Sequence, residues 1–588
     1  MSDRSQAQTI TFANIAAGGV VRNLDPDSLA PPNESGVFSP TFLSLAKNVN
    51  LFEGEVLIRD GSVAFSTVRG SNTINGIFRA SFDPGRRQLV AGYAGNALAG
   101  TGAVEVFDEK TGSNTWIVIT PSAGTGSPVP LQPWQFAMVP RASDTPANAM
   151  MFGNQGTSCY LWDGTMLANS AVELDQVNFP GSPSGAKTFV SFLSRAMALN
   201  INDENGNRKE SRIAFSIVGD SNNWSALGSG TLDLDDDPWA IQAALVMGGR
   251  LVVLKGGPEG GAIYVLTPTG AATSPMRVDA INPGTDVGIL IPRSLTPLGP
   301  GVAFFLSHDA AYLYDGVRAL RPFAQGVARD IASRVNINAL DSGFAYYNRN
   351  YRQVELHVAV GSSTTPNEVW TFDVRNLRAW GPDTLGTAYY SADTWTPQGV
   401  LTWDTWGQAT SRTWDTLLVE DAGAQYHQWD LAKGDYGTET IVYGAADGIV
   451  YKRTPGLVDD PGPANIDVQI DLPPITPAMW LRNPKTGKRY RADDMFVLRS
   501  LTLRHRSTTQ WTPVVKVKID GSAAVNVSDG SAATAATTHL HSITYYPDDT
   551  VVGPGVSFEP QIFNTAGGKC NFKDIQCEFT YAGSARHD

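Results

Sequence analysis

Few residues of this sequence have the types and spacing of a reactive site, and the first to consider is the run Ser307-His308-Asp309. A catalytic triad needs side chains that converge from separate parts of a fold, which consecutive residues cannot do. The run therefore favours a turn at the end of a strand. The sequence also lacks the GxSxG, HExxH and GxxxxGK[ST] motifs of serine hydrolases, zinc proteases and nucleotide-binding loops.

Two further groups of residues have side chains of the types that act as metal ligands in proteins. The acidic run in TLDLDDDPW consists of Asp233, Asp235, Asp236 and Asp237. These carboxylates could bind Ca²⁺, but they lack the spacing and central glycine of an EF-hand loop, which favours a solvated turn. His539 and His541 would face one side of a predicted strand, yet a metal would need at least one further ligand. We expect no metal site and no cofactor.

A dense positive cluster lies in the segment WLRNPKTGKRYR. Its members are Arg482, Lys485, Lys488, Arg489 and Arg491. Cations at this density can contact phosphate or an acidic partner. A solvated loop is an equally good interpretation, and the sequence leaves both open.

The elements that would position these residues follow from a repeated motif, in which a β-run ends in an aromatic or apolar residue, then Asp, then a turn. We call its acidic members the blade-turn aspartates: Asp108, Asp163, Asp220, Asp315, Asp373 and Asp430. With Thr267 in the equivalent place of a weaker copy, successive members are 47 to 58 residues apart. A short acceptor side chain there can bind the backbone N–H two residues on, which closes an Asx-turn.

The spacing of this motif predicts the fold. A unit of about 50 residues with about four strands is the size of a β-propeller blade. The sequence therefore predicts an all-β protein with a β-propeller of about 6–8 blades. A large sandwich whose hairpins share turn chemistry is the alternative. The one good helix signal is AQGVARDIASRVNI, residues 324–337.

The ends of the chain do not carry the repeat. Residues 1–60 are expected to form an N-terminal arm and lead-in strands, and residues 61–458 the propeller. Proline and aspartate become dense near residue 459, where the repeat stops. Alternating patterns such as Val514–Ile519 then predict a small β-sandwich over residues 459–588.

Composition and charge narrow the function classes. The chain has a net charge of −13, which argues against a surface around which DNA wraps. An acidic wall repels phosphate, so this charge favours a channel through which DNA passes without being bound. Three cysteines form no disulfide framework; Cys570 and Cys577 could pair, but free buried thiols are favoured. The polar N-terminus fits neither a signal peptide nor a membrane anchor, so we expect synthesis in the cytosol.

The recurring acids also bear on catalysis. Glycosidases that use propellers place paired carboxylates across a sugar. Here the acids recur at strand-end turns, which suits structural repetition better than one catalytic pair. The sequence therefore predicts a chain without enzymatic activity.

Three segments resemble the tail hub or nozzle proteins of short-tailed bacteriophages. SLAKNVNLFEGEVLIRDGS is similar to the start of those propeller proteins, and SRIAFSIVGDSNNWSALGSGTLDLDDDPWAIQAALVMGGRLVVLKGG to a pair of their blades. DAAYLYDGVRALRPFAQGVARDI resembles their strand–Asp-Gly–strand unit that leads into a short helix. The likeness extends over roughly residues 20–450.

The resemblance implies a structural protein of the virion tail, made in the host cytoplasm. Such proteins form a ring, usually a hexamer, below the portal–adaptor of the head–tail connector. The ring retains the packaged genome, lets double-stranded DNA pass through its lumen without reading sequence, and docks fibres or spikes.

Two other functions remain open at this point. One is a receptor-binding tail fibre or spike protein, which we would expect to be an elongated trimer. The other is a cellular propeller scaffold that binds proteins, which we would expect to be a monomer.

Overall fold

The structure is a computed structural model of the 588-residue chain. It describes residues 7–13, 19–20, 43–52, 55–66, 73–83, 86–94, 103–108, 115–120, 132–142, 148–174, 185–203, 205–271, 274–281, 287–316, 320–395, 439–454, 466–507, 513–527, 537–547, 552–564 and 570–584. Within these ranges, no helix has the length and apolar character that crossing a membrane requires.

The chain divides into two compact units. Unit 1 combines Met1–Val63, Asp233–Tyr390 and Thr454–Asp588, and unit 2 combines Ala64–Leu232 and Ser391–Arg453. Each unit is thus assembled from segments that are distant in sequence.

Unit 1 contains a sandwich built from both ends of the chain. Its first sheet has the order β3-β4-β39-β34-β37, with β1 also paired to β39. Its second sheet has the order β2-β33-β38-β35-β36. The N-terminal strands are β1 (Gln8–Ala13), β2 (Leu45–Lys47), β3 (Val49–Phe52) and β4 (Glu55–Ile58). The C-terminal strands are β33 (Val468–Asp471), β34 (Asp494–Ser507), β35 (Pro513–Ile519), β36 (Val525–Asn526), β37 (Thr537–Tyr545), β38 (Phe558–Asn564) and β39 (Cys570–Ser584).

The two sheets of the sandwich enclose one core. Buried residues from both sheets, such as Leu501, Phe579 and Ile562, belong to a single cluster. Alternation along β35 buries Val515 and Val517, because successive side chains of a strand point to opposite faces. The segment assigned from sequence to an N-terminal arm contributes to this same core through Val49, Leu51 and other residues.

The rest of both units consists of four-stranded antiparallel sheets, numbered here as blades in chain order. Three of them lie in unit 1. Blade 4 has β18 (Ile241–Met247), β19 (Arg250–Gly257), β20 (Gly260–Pro268) and β21 (Met276–Ile281). Blade 5 has β22 (Thr296–Gly299), β23 (Val302–Leu306), β24 (Ala311–Tyr314) and β25 (Leu320–Phe323). Blade 6 has β26 (Phe344–Asn348), β27 (Gln353–Val358), β28 (Glu368–Asp373) and β29 (Arg378–Asp383).

The other four sheets belong largely to unit 2. Blade 1 has β6 (Ile74–Asp83), β7 (Arg86–Tyr93), β8 (Ala103–Asp108) and β9 (Thr115–Val118). Blade 2 has β10 (Gln135–Pro140), β11 (Asn148–Gly153), β12 (Tyr160–Trp162) and β13 (Val172–Glu173). Blade 3 has β14 (Thr188–Phe192), β15 (Arg195–Asn202), β16 (Arg208–Phe215) and β17 (Gly230–Asp233). Blade 7 has the order β30 (Tyr389–Trp395), β31 (Thr440–Ala445), β32 (Val450–Thr454) and β5 (Gly61–Ala64).

Successive blades pack face to face inside each unit. In unit 1, Phe304 of blade 5 lies 5.2 Å from Phe372 of blade 6, measured between ring centroids. In unit 2, Phe82 of blade 1 contacts Trp162 of blade 2 edge to face at the same separation. Because both faces of an inner strand are covered, β15 is buried along its whole length.

The predicted fold class is confirmed: the protein is all-β and contains a β-propeller and a sandwich. The part of the chain that the structure describes holds seven blades, within the predicted range. The helices of the described ranges are short: α1 (Gln325–Arg334), a 3₁₀ helix (Ile337–Ser342) and α2 (Pro477–Trp480). The helix predicted over residues 324–337 is confirmed by α1.

Candidate anion-binding hairpin

The positive cluster of the sequence lies on a tight hairpin of the sandwich, between α2 and β34. We call residues 482–491 the basic hairpin. Its two arms meet where Arg482 and Arg489 form an antiparallel bridge. The N–H of Asn483 donates to the carbonyl of Lys488 at 2.8 Å, next to this bridge.

The tip of the basic hairpin is held by its own backbone and by Asn483. The Oδ1 of Asn483 accepts hydrogen bonds from the N–H groups of Lys485 (2.9 Å) and Thr486 (3.3 Å), which is an Asx-turn. The N–H of Gly487 donates to the Asn483 carbonyl at 2.8 Å. Gly487 has φ +67°, a left-handed conformation that glycine adopts without a Cβ penalty. The loop therefore has a defined shape.

All five basic side chains of the hairpin are exposed. Within the described ranges, no carboxylate forms an ion pair with Arg482, Lys488, Arg489 or Arg491. Among the described residues, the charges of these four side chains are therefore not paired with a carboxylate.

Aromatic rings support the base of the basic hairpin. Tyr490 stacks on Tyr581 with ring centroids 5.1 Å apart, and it meets Phe496 edge to face at 5.0 Å. Gln8 of β1 donates through Nε2 to the Arg482 carbonyl at 2.7 Å. Burial raises the pKa of Tyr490 and of Tyr581, and nearby Asp494 raises both further. Both phenols therefore stay neutral across the physiological pH range.

The blade-turn aspartates occupy strand ends in several blades. Oδ1 of Asp163, Asp220 and Asp373 each accepts from the N–H two residues on, at 3.0 Å in every case. Asp315 directly follows β24 and is exposed, and Asp108 is the last residue of β8. Asp430 lies outside the described residues.

Two of these aspartates also bind arginine. Asp373 accepts from Nε of Arg378 at 2.9 Å, and both side chains are buried. Asp163 accepts from Nη1 of Arg141 at 3.1 Å. Burial alone would raise the pKa of Asp163, but hydrogen bonds from Thr165 and the Arg141 charge lower it overall.

The acidic run ending at Asp237 contains a buried ionic cluster that the sequence did not reveal. Lys255, fully buried in β19, donates through Nζ to Asp237 at 2.9 Å and to the Leu234 carbonyl at 2.7 Å. Asp237 also binds the Tyr264 hydroxyl and the N–H of Trp239. This carboxylate is therefore engaged by the chain itself. Asp235 and Asp236 are exposed, and Asp233 ends β17.

The other candidate groups lie apart from the basic hairpin in the sequence. Ser307, His308 and Asp309 form the turn between β23 and β24, and Asp309 accepts from the Tyr312 hydroxyl at 2.7 Å. His539 and His541 lie on β37, with side chains outside the described set. Among the described residues, no group of three or more His, Cys, Asp or Glu is arranged to hold a metal.

Two buried thiols carry no disulfide. Cys159 and Cys577 are free, and burial raises the pKa of each to about 12. Neither thiol is therefore ionised near neutral pH, which makes both poor nucleophiles.

Sequence reasoning also missed a partly buried carboxylate in blade 7. Asp393 accepts from the N–H groups of Arg79 (2.7 Å) and Thr394 (2.6 Å). The Arg79 guanidinium forms an ion pair with Glu439 at 3.0 Å. Burial raises the pKa of Asp393, and the nearby Glu439 charge adds to the rise. The sequence feature that could have identified Asp393 is the position of an acidic residue inside strand β30 rather than at the end of a strand.

Comparison with known proteins shows likeness only at the level of structure. No family model and no curated protein matches the sequence. An exo-β-1,3-galactanase from Phanerochaete chrysosporium is 9% identical, covers 88% of this chain and 99% of its own, with a TM-score of 0.27. The sialidase of Trypanosoma rangeli is 10% identical, with coverages of 90% and 96% and a TM-score of 0.27. BBS1N, solved in complex with ARL6DN, is 10% identical, with coverages of 69% and 98% and a TM-score of 0.33.

These neighbours correct one expectation. The sequence predicted a chain without enzymatic activity, and that prediction is wrong because the similar structures include glycoside hydrolases and a sialidase, which are enzymes. The absence of the GxSxG, HExxH and GxxxxGK[ST] motifs does not address propeller enzymes, and acids at strand-end turns do not exclude a carboxylate pair elsewhere in the chain. At these sequence identities the likeness concerns the fold alone, and the substrates of those enzymes are not assigned to this chain.

Proposed function

We propose that this chain is a structural protein of a virion tail, the hub or nozzle ring of a short-tailed bacteriophage. One observation carries the proposal: strands from the N-terminal and the C-terminal segments pair with each other in the same sandwich. The propeller sequence is therefore an insertion between strands of that sandwich. A ring that retains a packaged genome must resist unravelling from its termini. Interleaved terminal strands supply that resistance.

Contacts inside unit 1 support this interpretation. The Asn48 side chain donates to the Asp467 carbonyl at 2.6 Å and accepts from the N–H of Thr384 at 2.8 Å. Arg378 of blade 6 donates to the Leu51 carbonyl at 3.0 Å. The N-terminal segment is thereby joined to both the C-terminal strands and blade 6, and each buried hydrogen bond adds about 1 kcal/mol of net stability.

The proposed partners are those that the resemblance to tail hubs implies. They are further copies of the chain in a hexamer, a portal–adaptor complex above the ring, fibres or spikes at its side, and double-stranded DNA in its lumen. The net charge of −13 supports a passage that does not grip phosphate along its whole length. The role would place the protein in the virion tail after synthesis in the host cytoplasm.

The test is the mass of the purified full chain by light scattering, alone and mixed with its portal–adaptor complex. A species of six times 62.9 kDa, alone or formed on the complex, is the expected result. A trimer would instead favour the fibre or spike protein. A monomer that ignores the complex would refute the tail-hub role and favour a cellular scaffold.

A further inference from the structure

We propose that the basic hairpin is a binding site for the phosphate backbone of duplex DNA that does not read sequence. The inference rests on the hairpin alone and does not require the tail-hub role. It assigns to this loop one local point of DNA contact on an otherwise acidic chain.

The first argument is that four of the hairpin's cations, Arg482, Lys488, Arg489 and Arg491, form no ion pair among the described residues that would stabilise the fold. Arg482 and Arg489 are direct partners in the antiparallel bridge, and like charges placed opposite each other destabilise a strand pair. The side chains of Lys488, Arg489 and Arg491 form no ion pair with a carboxylate within the described ranges. A local conflict of this kind, kept on a well-formed turn, is typical of a functional surface.

The second argument is the chemistry of the cations. Three of the five are arginines, whose planar guanidinium groups bind phosphate oxygens bidentately and keep their charge at any physiological pH. The Asn483 turn and the Tyr490–Tyr581 stack fix the loop before any ligand arrives. A preformed loop loses little conformational entropy on binding.

The third argument is the contrast between the hairpin and its surroundings. Residues 459–588 carry 13 Lys and Arg against 14 Asp and Glu, so their charge is nearly balanced, whereas the excess of acid lies in residues 1–458. A compact positive loop on a neutral domain favours DNA locally, while the acidic remainder repels it. The contact should therefore be limited in extent and strongly salt-dependent.

The experiment measures binding of the full chain to a fluorescein-labelled duplex by anisotropy, between about 50 and 200 mM salt. The test variant is Lys488→Ala/Arg489→Ala. The matched control is Arg329→Ala/Arg375→Ala, which removes two exposed cations from α1 and from the turn after β28. Unfolding midpoints of both variants are compared with that of the parent chain, so that a misfolded protein is recognised.

We expect the test variant to bind duplex DNA about tenfold or more weakly than the parent chain. The slope of the logarithm of its binding constant against the logarithm of salt concentration should become less negative by about 2, while the control binds like the parent chain. Two duplexes of unrelated sequence should bind equally. The proposal is overturned if the parent chain does not bind, if both variants weaken equally, or if phosphatidylglycerol vesicles bind at the hairpin and DNA does not.

Failure of this inference is distinguishable from failure of the proposed function. A hexamer whose hairpin ignores DNA would remove only the DNA site. A monomer that binds DNA through the hairpin would remove only the tail-hub role.

Discussion

Blade 4 and the basic hairpin use positive charge in opposite ways. In blade 4, Lys255 is fully buried and its ammonium group has both a carboxylate and a backbone carbonyl as partners. On the hairpin, Lys488 and Arg489 are exposed and form no ion pair with a carboxylate of the described residues. The first arrangement fixes a loop to a strand, and the second leaves charge available to another molecule. Pairing and burial therefore separate structural charge from charge that can serve recognition.

The largest effect is expected from breaking the buried pair. Asp237→Ala would leave the Lys255 charge buried without its carboxylate, which costs about 3–5 kcal/mol of unfolding free energy. Urea unfolding followed by tryptophan fluorescence measures the change. The exposed neighbour provides the control, since Asp236→Ala should change stability by less than about 0.5 kcal/mol.

A double variant sharpens this comparison. Asp237→Ala/Lys255→Met removes the charge together with its partner, so most of the lost stability should return. Equal unfolding free energies for the single and double variants would contradict a structural role for the pair.

The blade-turn aspartates should follow the same rule on a smaller scale. Asp373→Ala removes a buried ion pair with Arg378 and two backbone hydrogen bonds, so we expect a loss of about 2–4 kcal/mol. Asp220→Ala removes only the Asx-turn bond, and about 1 kcal/mol is expected. The difference in urea midpoint between the two variants tests this, and equal losses would deny the importance of the buried pair.

Titration separates the two kinds of carboxylate by the sign of their effect. The pKa of Asp393 is raised by burial, so the native state binds the extra proton and stability falls as pH rises through the native pKa, above 3.8. The pKa of Asp163 is lowered overall, so its contribution appears above the unfolded value and is lost as pH falls. Unfolding midpoints between about pH 3 and 7 should diverge in opposite directions for Asp393→Asn and Asp163→Asn.

Much of the fold follows from local chemistry that a sequence displays. Runs such as Tyr312–Asp315 combine a buried aromatic strand with an Asp-Gly turn, and Gly316 does adopt a positive φ of 79°. Counting such units predicted a propeller, because each blade repeats the same turn at nearly the same interval. The alternating pattern of Val514–Ile519 in β35 likewise predicted a sandwich strand.

The remaining features depend on long-range pairing that no local pattern encodes. The pairing of Ile10 with Cys577 joins the N-terminal and C-terminal segments, and the type of neither residue predicts it. The partnership of Lys255 with Asp237 was equally hidden, because both residue types are ordinarily exposed. For the hairpin, the sequence identified the cluster, while only the structure shows that Arg482 stands opposite Arg489.

That opposition gives the smallest predicted effect and the clearest test of what the hairpin's charge is for. Arg489→Thr relieves the repulsion from Arg482 and places a good strand former in the bridge, so stability should rise by up to about 0.5 kcal/mol at low salt. At about 1 M salt the electrostatic part of the gain should vanish, because screening shortens to about 3 Å. Lys488→Thr, one residue away and outside the bridge, should show no such salt-dependent gain. A loss of stability in Arg489→Thr would mean that the arginine stabilises the fold. A gain in stability accompanied by weaker DNA binding would mean that Arg489 lowers the stability of the hairpin while it contributes to DNA binding.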